Sequence, residues 1–550
     1  MLWIINIRNT SFLWGHLGEM AATDQNMMTK KLSSLFVYFH LFLLLVCSKP
    51  VPHSIVRFLP GFSGSLPFYL ETGYLSVDET NDVQLFYYFV KSERSPEEDP
   101  VVLWLTGGPG CSALTGLAYE IGPLYFKVEK YNGSLPTLTL NPHSWTKVSN
   151  IIFLDAPVLT GFSYSTTFQG SMTGDTLSAE QTYNFLRKWF IDHPDFLSNP
   201  LYVAGDSYSG FIVPIIVQNI ADGIEAGHEP LMNLKGYVLG NPLTDPIAEG
   251  NSKIRFAHCM AILSDELYES LKKNCGGEYV NVDPCNVPCL KDLNEYSKCI
   301  EKLNEAMILE PSCSETYFSK AKEMSSGRRS LDEKSSDFFL SPSSIPALYC
   351  REYGYMLGYY WANNKNVQNA LHIRKGTIRE WIRCNRHLNY KFELQSSVQY
   401  HLNLSARGFR SLIYSGDHDM NVPFMATQAW IRSLNYSIID DWRRWFSGDQ
   451  IGGYSTPSTY ITISYLISPF SFASRANETI LLESDNSSVF LSCRYTRTYS
   501  NKMTFATVKG YPNSAVLLEA RASSNLIESI TEFAIHAYLE YPDVHFEWRL

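Results

Sequence analysis

The first stretch in which chemistry is legible is Leu201-Tyr-Val-Ala-Gly-Asp-Ser-Tyr-Ser-Gly210. It reads as an apolar strand over 201–204 that meets a glycine, turns at Ser207 and leaves through Gly210 into an apolar segment at 211–220. A serine at such a strand-to-helix elbow is held in a strained turn, its hydroxyl exposed above the sheet and its backbone N–H near a helix N-terminus. That is a nucleophile's position. The strict pattern has glycine two residues after the serine; here that place is taken by Ser209, small enough to keep strand and helix close. Ordinary turns also read Gly-x-Ser-x-small, so the elbow needs partners elsewhere in the chain.

Two other stretches supply them. The apolar run 101–105 ends in Thr106-Gly-Gly-Pro-Gly-Cys-Ser112, and paired glycines after a strand let backbone N–H groups point into a cavity, as an oxyanion hole requires. Such a hole pairs an N–H from this loop with the N–H that follows the nucleophile, which selects Gly108 and Tyr208. An acid is expected after a later strand, and Leu412-Ile-Tyr-Ser-Gly-Asp-His-Asp-Met-Asn-Val-Pro423 offers Asp417 and Asp419. A carboxylate there can orient an imidazole and stabilise its charged form. The Gly-x-x-Asp-x-x-x-Pro spacing favours Asp419, because it lets the chain turn once before the carboxylate is presented; Asp417 is left a structural, loop-capping role. His418 is a tempting base, but it sits beside the acid on a turn and would have to point the wrong way.

The elements that must position these residues follow from the apolar pattern. Residues 73–77 and 83–90 flank the polar run 78–82 and read as a hairpin at a sheet edge. The short, nearly continuous apolar runs 101–105, 150–154, 201–204 and 236–239 suit buried parallel strands. Between them, Leu177, Thr182, Phe185, Leu186 and Trp189 have helical spacing. The pattern returns with a strand at 409–414, a helix at 425–434 and a strand at 504–508, so the fold class is α/β with a parallel sheet. Residues 246–350 differ in character, holding most of the cysteines, helical pieces such as 290–302 and the polar run 325–336. The economical division is core (51–245), inserted cap (246–350), core (351–510).

The net charge of −10 argues against a nucleic-acid partner, which calls for a basic face. A positive stretch at 28–31 and an apolar run at 32–46 have signal-peptide grammar and are too short for a spanning helix, so 27–50 is expected to be a signal peptide. Signal peptides begin at the initiator methionine, which makes 1–26 an extension and places the start at Met27 or Met28; the alternative is an uncleaved signal anchor. Eleven cysteines and the sequons at Asn132, Asn403, Asn435, Asn477 and Asn486 agree with a secretory route. A zinc site in the cap is the rival reading of its cysteines, but no paired Cys-x-x-Cys motif supports it, and no metal or cofactor is called for.

Taken together, Trp104-Leu-Thr-Gly-Gly-Pro-Gly-Cys-Ser112, Asn141-Pro-His-Ser-Trp145, Asp155-Ala-Pro, Gly161-Phe-Ser-Tyr-Ser165, Gly205-Asp-Ser-Tyr-Ser-Gly210, Gly240-Asn-Pro-Leu243 and Tyr414-Ser-Gly-Asp-His-Asp-Met420 resemble the serine carboxypeptidase family over about residues 54–510. The resemblance implies an α/β-hydrolase fold with an inserted, cysteine-rich, mainly helical cap, in a secreted or vacuolar glycoprotein. It implies a Ser, Asp, His triad working through an acyl-enzyme, with Ser207 as nucleophile, Asp419 as acid, and Gly108 and Tyr208 as oxyanion donors. It also implies disulfides from Cys111 to Cys350, pinning the base of the cap to the glycine loop, and from Cys275 to Cys289. The exopeptidases of the family resemble Asn-Gly-Gly-Pro-Gly and Gly-Glu-Ser-Tyr, where amide and acid hold a peptide's terminal carboxylate. Here the substrate-binding positions carry Thr106, Gly107 and Asp206, shorter groups that grip a carboxylate less well. With Tyr495-Thr-Arg-Thr-Tyr-Ser-Asn-Lys, this is similar to the plant acyltransferase branch, which moves an acyl group from a glucose ester through the serine to an alcohol or amine. The implied partners are a small-molecule acyl donor and acceptor, or a peptide C-terminus, with no stable membrane span after signal cleavage.

The family pattern breaks where the base belongs. Val-Lys-Gly continues in the family as Gly-Gly-His-Thr-Ala-Pro-Glu-Tyr, whereas Val508-Lys-Gly510 continues here as Tyr511-Pro-Asn-Ser-Ala515, with Asn513 at the histidine's counted place. His536 lies in a helical-looking run and His545 close to the end, so neither replaces it. Removing 454–494 joins Gly453 to the family's continuous hairpin, and that uncharged Ser, Thr and Ile stretch reads as translated intron. With 1–26 and the non-family tail 511–550, these anomalies point to a gene model or splice form. Leu159 stands where the family has glycine. Three readings stay open: an active acyltransferase, a carboxypeptidase, and a non-catalytic hydrolase-fold binding protein.

Overall fold

The computed structural model describes residues 54–310, 312–313, 350–443, 446–447, 450–451 and 496–508. Among the described residues, eleven strands form the continuous path of one sheet: β1 Ser54–Ile55, β2 Leu70–Asp78, β3 Val83–Val90, β4 Val101–Leu105, β5 Asn150–Leu154, β6 Leu201–Asp206, β7 Leu234–Gly240, β8 Arg410–Gly416, β9 Ile438–Arg443, β10 Thr496–Tyr499 and β11 Met503–Val508. Their spatial order is β1-β2-β3-β5-β4-β6-β7-β8-β11-β10-β9. The centre, from β5 through β4, β6, β7 and β8 to β11, is parallel, and both margins are antiparallel.

Both faces of the central strands are covered, which is why their sequences run apolar without alternating. On one face Phe86, Tyr88, Val102, Trp104, Ile151 and Phe153 join a core closed by the helices Leu114–Tyr119 and Arg351–Ala362. Their sequence neighbours point the other way: Tyr87 meets Phe185 and Phe89 meets Trp189, both on the helix Asp175–Asp192. The elbow helix Ser209–Glu225 is buried over most of its length.

Among the described residues, three helices occupy the expected cap region, Pro246–Cys259, Asp265–Cys275 and Val287–Ile300. Each begins where a side-chain oxygen satisfies a free helical N–H: Asp245 accepts from Ala248, Ser264 from Leu267, and Asn286 from Cys289. The second ends at Gly276, whose φ of 65° takes the left-handed terminating conformation. Ile254, Phe256, Leu271 and Tyr296 form a small core that also takes in Met420, from the turn carrying the expected acid.

Cys275 is bonded to Cys289, tying the end of the second cap helix to the start of the third. The expected bridge from Cys111 to Cys350 is not formed: Cys111 is bonded to Cys384, and Cys350 to Cys313. The reason is a short antiparallel contact that lays residues 383–385 along the glycine loop. The Ser112 N–H donates to the Arg383 carbonyl at 2.6 Å and the Asn385 N–H to the Gly110 carbonyl at 2.8 Å, so Cys111 faces Cys384.

Candidate active site

Ser207 has a φ of 56°, left-handed backbone in a residue with a β-carbon, directly after β6. Such strain persists only where the surroundings impose it, and here they do. The Ser207 N–H donates to the Gly240 carbonyl at 3.0 Å, and the Ser207 carbonyl accepts from Leu243 at 2.9 Å. A β-carbon at Gly205 would sit 2.5 Å from the Leu105 carbonyl oxygen, and one at Gly210 2.6 Å from the Leu243 carbonyl oxygen. Tyr208 precedes the first helical residue, so its N–H has no intrahelical acceptor. The glycine loop lies directly on this elbow: a β-carbon at Gly107 would be 2.6 Å from the Ser207 Cβ and 2.8 Å from the Tyr208 N. Gly108, at φ 122°, follows it.

The acid turn follows β8, two strands from the serine's strand. Asn241 links the two ends: its N–H donates to the Tyr414 carbonyl at 2.7 Å and its Oδ1 accepts from the Gly416 N–H at 3.0 Å, one residue beyond the Gly240 carbonyl that holds Ser207. Asp419 is fully buried, and its Oδ1 accepts from the N–H groups of Asn421 (2.7 Å) and Val422 (3.1 Å). It is thus Asp419 that caps the turn, while Asp417 Oδ1 lies 2.5 Å from His418 Nδ1 in a buried pair. Asp419 Oδ2 is buried and has no hydrogen-bond partner among the described residues. Burial pushes the Asp419 carboxyl up to about 7, against the two N–H donors and the charges of Lys253 and Arg351.

The cap reaches this turn directly. The N–H groups of Met420 and Asn421 donate to the Glu305 carbonyl, and that of Ile308 to the His418 carbonyl. On the opposite side the Asp417 N–H donates to the Val508 carbonyl at 2.9 Å, so β11 ends beside the acid. Asn513, five positions further along, and His536, His545, Asn477, Asn486 and the segment 454–494 lie outside the described residues.

A narrow cleft flanks the elbow, bounded by Thr106, Gly107, Pro109, Pro157, Tyr208 and Tyr390 among others. Thr106 Oγ1 is buried on this wall and has no hydrogen-bond partner among the described residues. Asp206 is buried, 2% exposed, and its Oδ1 accepts from the Gly107 N–H at 3.2 Å. Glu120, which sequence reasoning did not single out, is buried nearby and accepts from Trp104 Nε1 at 3.1 Å. Burial and the charges of Asp206 and Glu120 push the Tyr414 hydroxyl well above its ordinary value. Leu159 has a φ of 67°, a conformation that favours the glycine expected there by family pattern. The sequon residues Asn132, Asn403 and Asn435 are exposed.

Sequence reasoning also missed Cys384, Asp175 and Tyr390. A signal for Cys384 existed: outside 246–350, the expected signal peptide and 454–494, only Cys111 and Cys384 remain. The hydrogen bond that Tyr390 donates to Asp175 left no local trace.

A largely parallel sheet with a serine elbow after a central strand and a glycine loop laid over it is the arrangement of the α/β-hydrolases. The family model described as serine carboxypeptidase matches residues 60–466. Serine carboxypeptidase-like 7 of Arabidopsis thaliana is 48% identical over 457 residues, 83% of this chain and 88% of the relative. Serine carboxypeptidase-like 1 of the same plant is 48% identical over 484 residues, covering 88% and 93%. The chain belongs to the serine carboxypeptidase family. The crystal structure of a prohormone-processing carboxypeptidase from Saccharomyces cerevisiae superposes with a TM-score of 0.57 at 17% identity, over 86% of this chain and 92% of that one, a likeness of fold.

Proposed function

We propose that this chain is an acyltransferase by design, taking an acyl group from a glucose ester onto Ser207, and that as encoded it turns over slowly for want of a base. The observation that carries the transferase reading is the treatment of the carboxylate-binding positions. Asp206 is buried with Oδ1 engaged by Gly107, and the cleft wall carries Thr106 rather than an amide. A hydroxyl and a buried acid form a weak clamp for a peptide's terminal carboxylate. The Thr106 hydroxyl instead offers one neutral hydrogen bond to an ester or sugar oxygen.

The chemistry on Ser207 needs four parts. The strained elbow presents the hydroxyl, the N–H groups of Gly108 and Tyr208 stabilise the oxyanion, Asp419 is the acid, and a base must move the proton. Asn513 holds the counted position of that base and cannot accept and return a proton as an imidazole does. Asp419 Oδ2, buried and unpartnered among the described residues, is the atom to which such an imidazole would donate. Losing the base costs on the order of 10⁴-fold or more, and the oxyanion donors alone leave roughly 10³-fold over water.

No helix among the described residues is long and apolar enough to cross a membrane. The division into core, cap and core, the signal peptide at 27–50 and glycosylation at the sequons belong to the same proposal. The test compares the full chain with a version in which the family-like Gly-Gly-His-Thr-Ala-Pro-Glu-Tyr tail replaces 511–550 and 454–494 is deleted. The repaired chain is expected to transfer from a glucose ester in preference to cleaving a blocked dipeptide, and to exceed the full chain by orders of magnitude. Preferential dipeptide cleavage would establish the carboxypeptidase reading. Tight ester binding without turnover in the repaired chain would establish the binding-protein reading.

A further inference from the structure

The glycine loop has two ends, and a carboxylate holds each. Asp206 takes the Gly107 N–H at the elbow. At the far end Asp155 Oδ1 accepts from the Ser112 hydroxyl (2.8 Å) and the Ala113 N–H (2.7 Å), and its Oδ2 accepts from the Phe162 N–H (2.8 Å). Asp155 and Ser112 are both fully buried. One carboxylate therefore joins the glycine loop to the loop 155–162. The fit is close, for a β-carbon at Gly161 would stand 2.2 Å from Asp155 Oδ2. Trp381 Nε1 donates to the Ser112 hydroxyl oxygen at 3.2 Å and Asn385 Nδ2 to the Leu159 carbonyl at 2.9 Å, so the segment 381–385 is fastened to both loops.

Asp155 is a firm anchor because its own backbone is fixed just after β5. Its N–H donates to the Phe86 carbonyl at 2.9 Å, and its carbonyl accepts from the Ser163 hydroxyl at 2.6 Å. From Ser112 back to the elbow the chain is one tight turn with Gly108 inside it, closed by the Cys111 N–H donating to the Gly107 carbonyl at 3.2 Å. A movement at 112–113 is therefore carried to Gly108. Both loops line the cleft, Gly107, Pro109 and Gly110 from one and Ala156 and Pro157 from the other. Three donors face Asp155, and an ionised carboxylate offers them acceptors alone. Burial pushes the Asp155 carboxyl up to about 6, against those three donors. The titratable groups its charge reaches are Tyr88 on β3 and Tyr74 on β2, both pushed well above the ordinary tyrosine value by burial, and Arg374 lies over the Tyr74 ring, 4.6 Å from its centroid. Neither tyrosine exchanges a proton near neutrality.

We infer that Asp155 is a positioning residue for the oxyanion donor: its carboxylate ties the far end of the glycine loop to the loop 155–162 and so keeps the Gly108 N–H in place for the acyl oxygen on Ser207. Asp155 touches neither substrate nor the reacting atoms. The inference rests on Ser207 being the acylated residue and on Gly108 donating to the oxyanion.

The full chain can be tested with p-nitrophenyl acetate, following the rate at which the acetyl mass appears on the Ser207 peptide against ester concentration and pH. In this reaction the bond from Ser207 Oγ to the acyl carbon forms, the bond to the phenol oxygen breaks, p-nitrophenolate leaves and the serine proton passes to solvent. Asp155→Asn keeps an acceptor oxygen for Ser112 and Ala113 and turns an amide nitrogen toward the Phe162 N–H, so one arm of the tie opens. Its limiting acylation rate at about pH 8 is expected to lie about ten- to a hundredfold below the parent's, with the half-saturating ester concentration within about twofold, because a displaced oxyanion donor is felt in the transition state and not in ground-state binding. Protonating Asp155 in the parent has the same effect as the substitution. The parent-to-variant rate ratio should therefore decline as pH falls through about 6 and shrink to about fourfold or less by about pH 4.5, where about 3% of the carboxyl is still ionised. Asp419 titrates in both proteins and cancels from the ratio. A merely structural role would leave the ratio independent of pH. Should Asp155→Asn not fold, Ser112→Ala removes the hydroxyl arm alone, and a lowered limiting rate at unchanged half-saturation is the expected result. A parental limiting rate in the variant that folds, or a deficit in Asp155→Asn that does not change with pH, overturns the inference and leaves the serine reading intact. No label on Ser207 in the unmodified chain overturns both.

Discussion

Asp419→Asn in the full chain reads out whether a histidine serves the buried acid. Burial holds the Asp419 carboxyl near 7, well above its unfolded value near 3.8. Between those values the folded chain binds a proton that the unfolded chain has released, so stability falls as pH rises and levels off above about 7. From about pH 5 to that plateau is about two pH units, worth about 3 kcal/mol at 1.4 kcal/mol per unit. Asparagine removes this dependence and keeps an oxygen for the N–H groups of Asn421 and Val422. Its amide nitrogen inherits the unpartnered place of Oδ2, a cost of about 1–3 kcal/mol that does not vary with pH. The stability of Asp419→Asn relative to the parent should therefore improve by about 3 kcal/mol between about pH 5 and about pH 8.5. Urea unfolding followed by tryptophan fluorescence at the two pH values, with disulfides intact, measures it. A neutral imidazole donating to Oδ2 would hold the Asp419 carboxyl ionised throughout this range and leave the difference constant. A constant difference, or one that moves against the variant as pH rises, refutes the reasoning and with it the claim that no base is in place.

Gly107→Ala should slow acylation of Ser207 by about 10²-fold, because its β-carbon would stand 2.6 Å from the Ser207 Cβ and 2.8 Å from the Tyr208 N and the loop must shift. A variant that acylates at the parental rate shows that the loop does not supply the oxyanion donor. Cys384→Ser should free Cys111 to alkylation under non-reducing conditions and cost about 2–5 kcal/mol. Peptide mapping of the parent that finds Cys111 joined to Cys350 would contradict the observed pairing. Deleting 454–494 should raise soluble yield by removing an apolar, β-prone run, since Arg443 and Thr496 already pair across it. Loss of folding on deletion would make that segment part of the structure.

The sheet was legible because each central strand is covered on both faces, and such strands announce themselves as short apolar runs: 101–105 and 150–154 match Val101–Leu105 and Asn150–Leu154 to the residue. The helix expected around Phe185 and Trp189 is Asp175–Asp192, its buried face set by 3.6-residue spacing. The elbow and the glycine loop were legible for a related reason. Both are backbone devices built within a few consecutive residues, and each needs small side chains that a sequence displays directly.

The sequence alone determined that Ser207 ends a strand, that a glycine loop of the right kind precedes it, and that a carboxylate follows a later strand. Only the tertiary structure decided what depends on distances between remote segments. Cys111 and Cys384 are 273 residues apart and meet because residues 383–385 lie along the glycine loop. Asp417 and Asp419 differ by two positions in sequence, and hydrogen bonds assign their parts: Asp419 caps the turn with one oxygen and keeps the other buried, while Asp417 pairs with His418. Asp175, Tyr208 and Tyr390 come from three segments with no common pattern, and one carboxylate joins them. Patterns of spacing record what neighbours in the chain do to each other; a buried acid acquires its function from groups that only the packed fold brings within 3 Å.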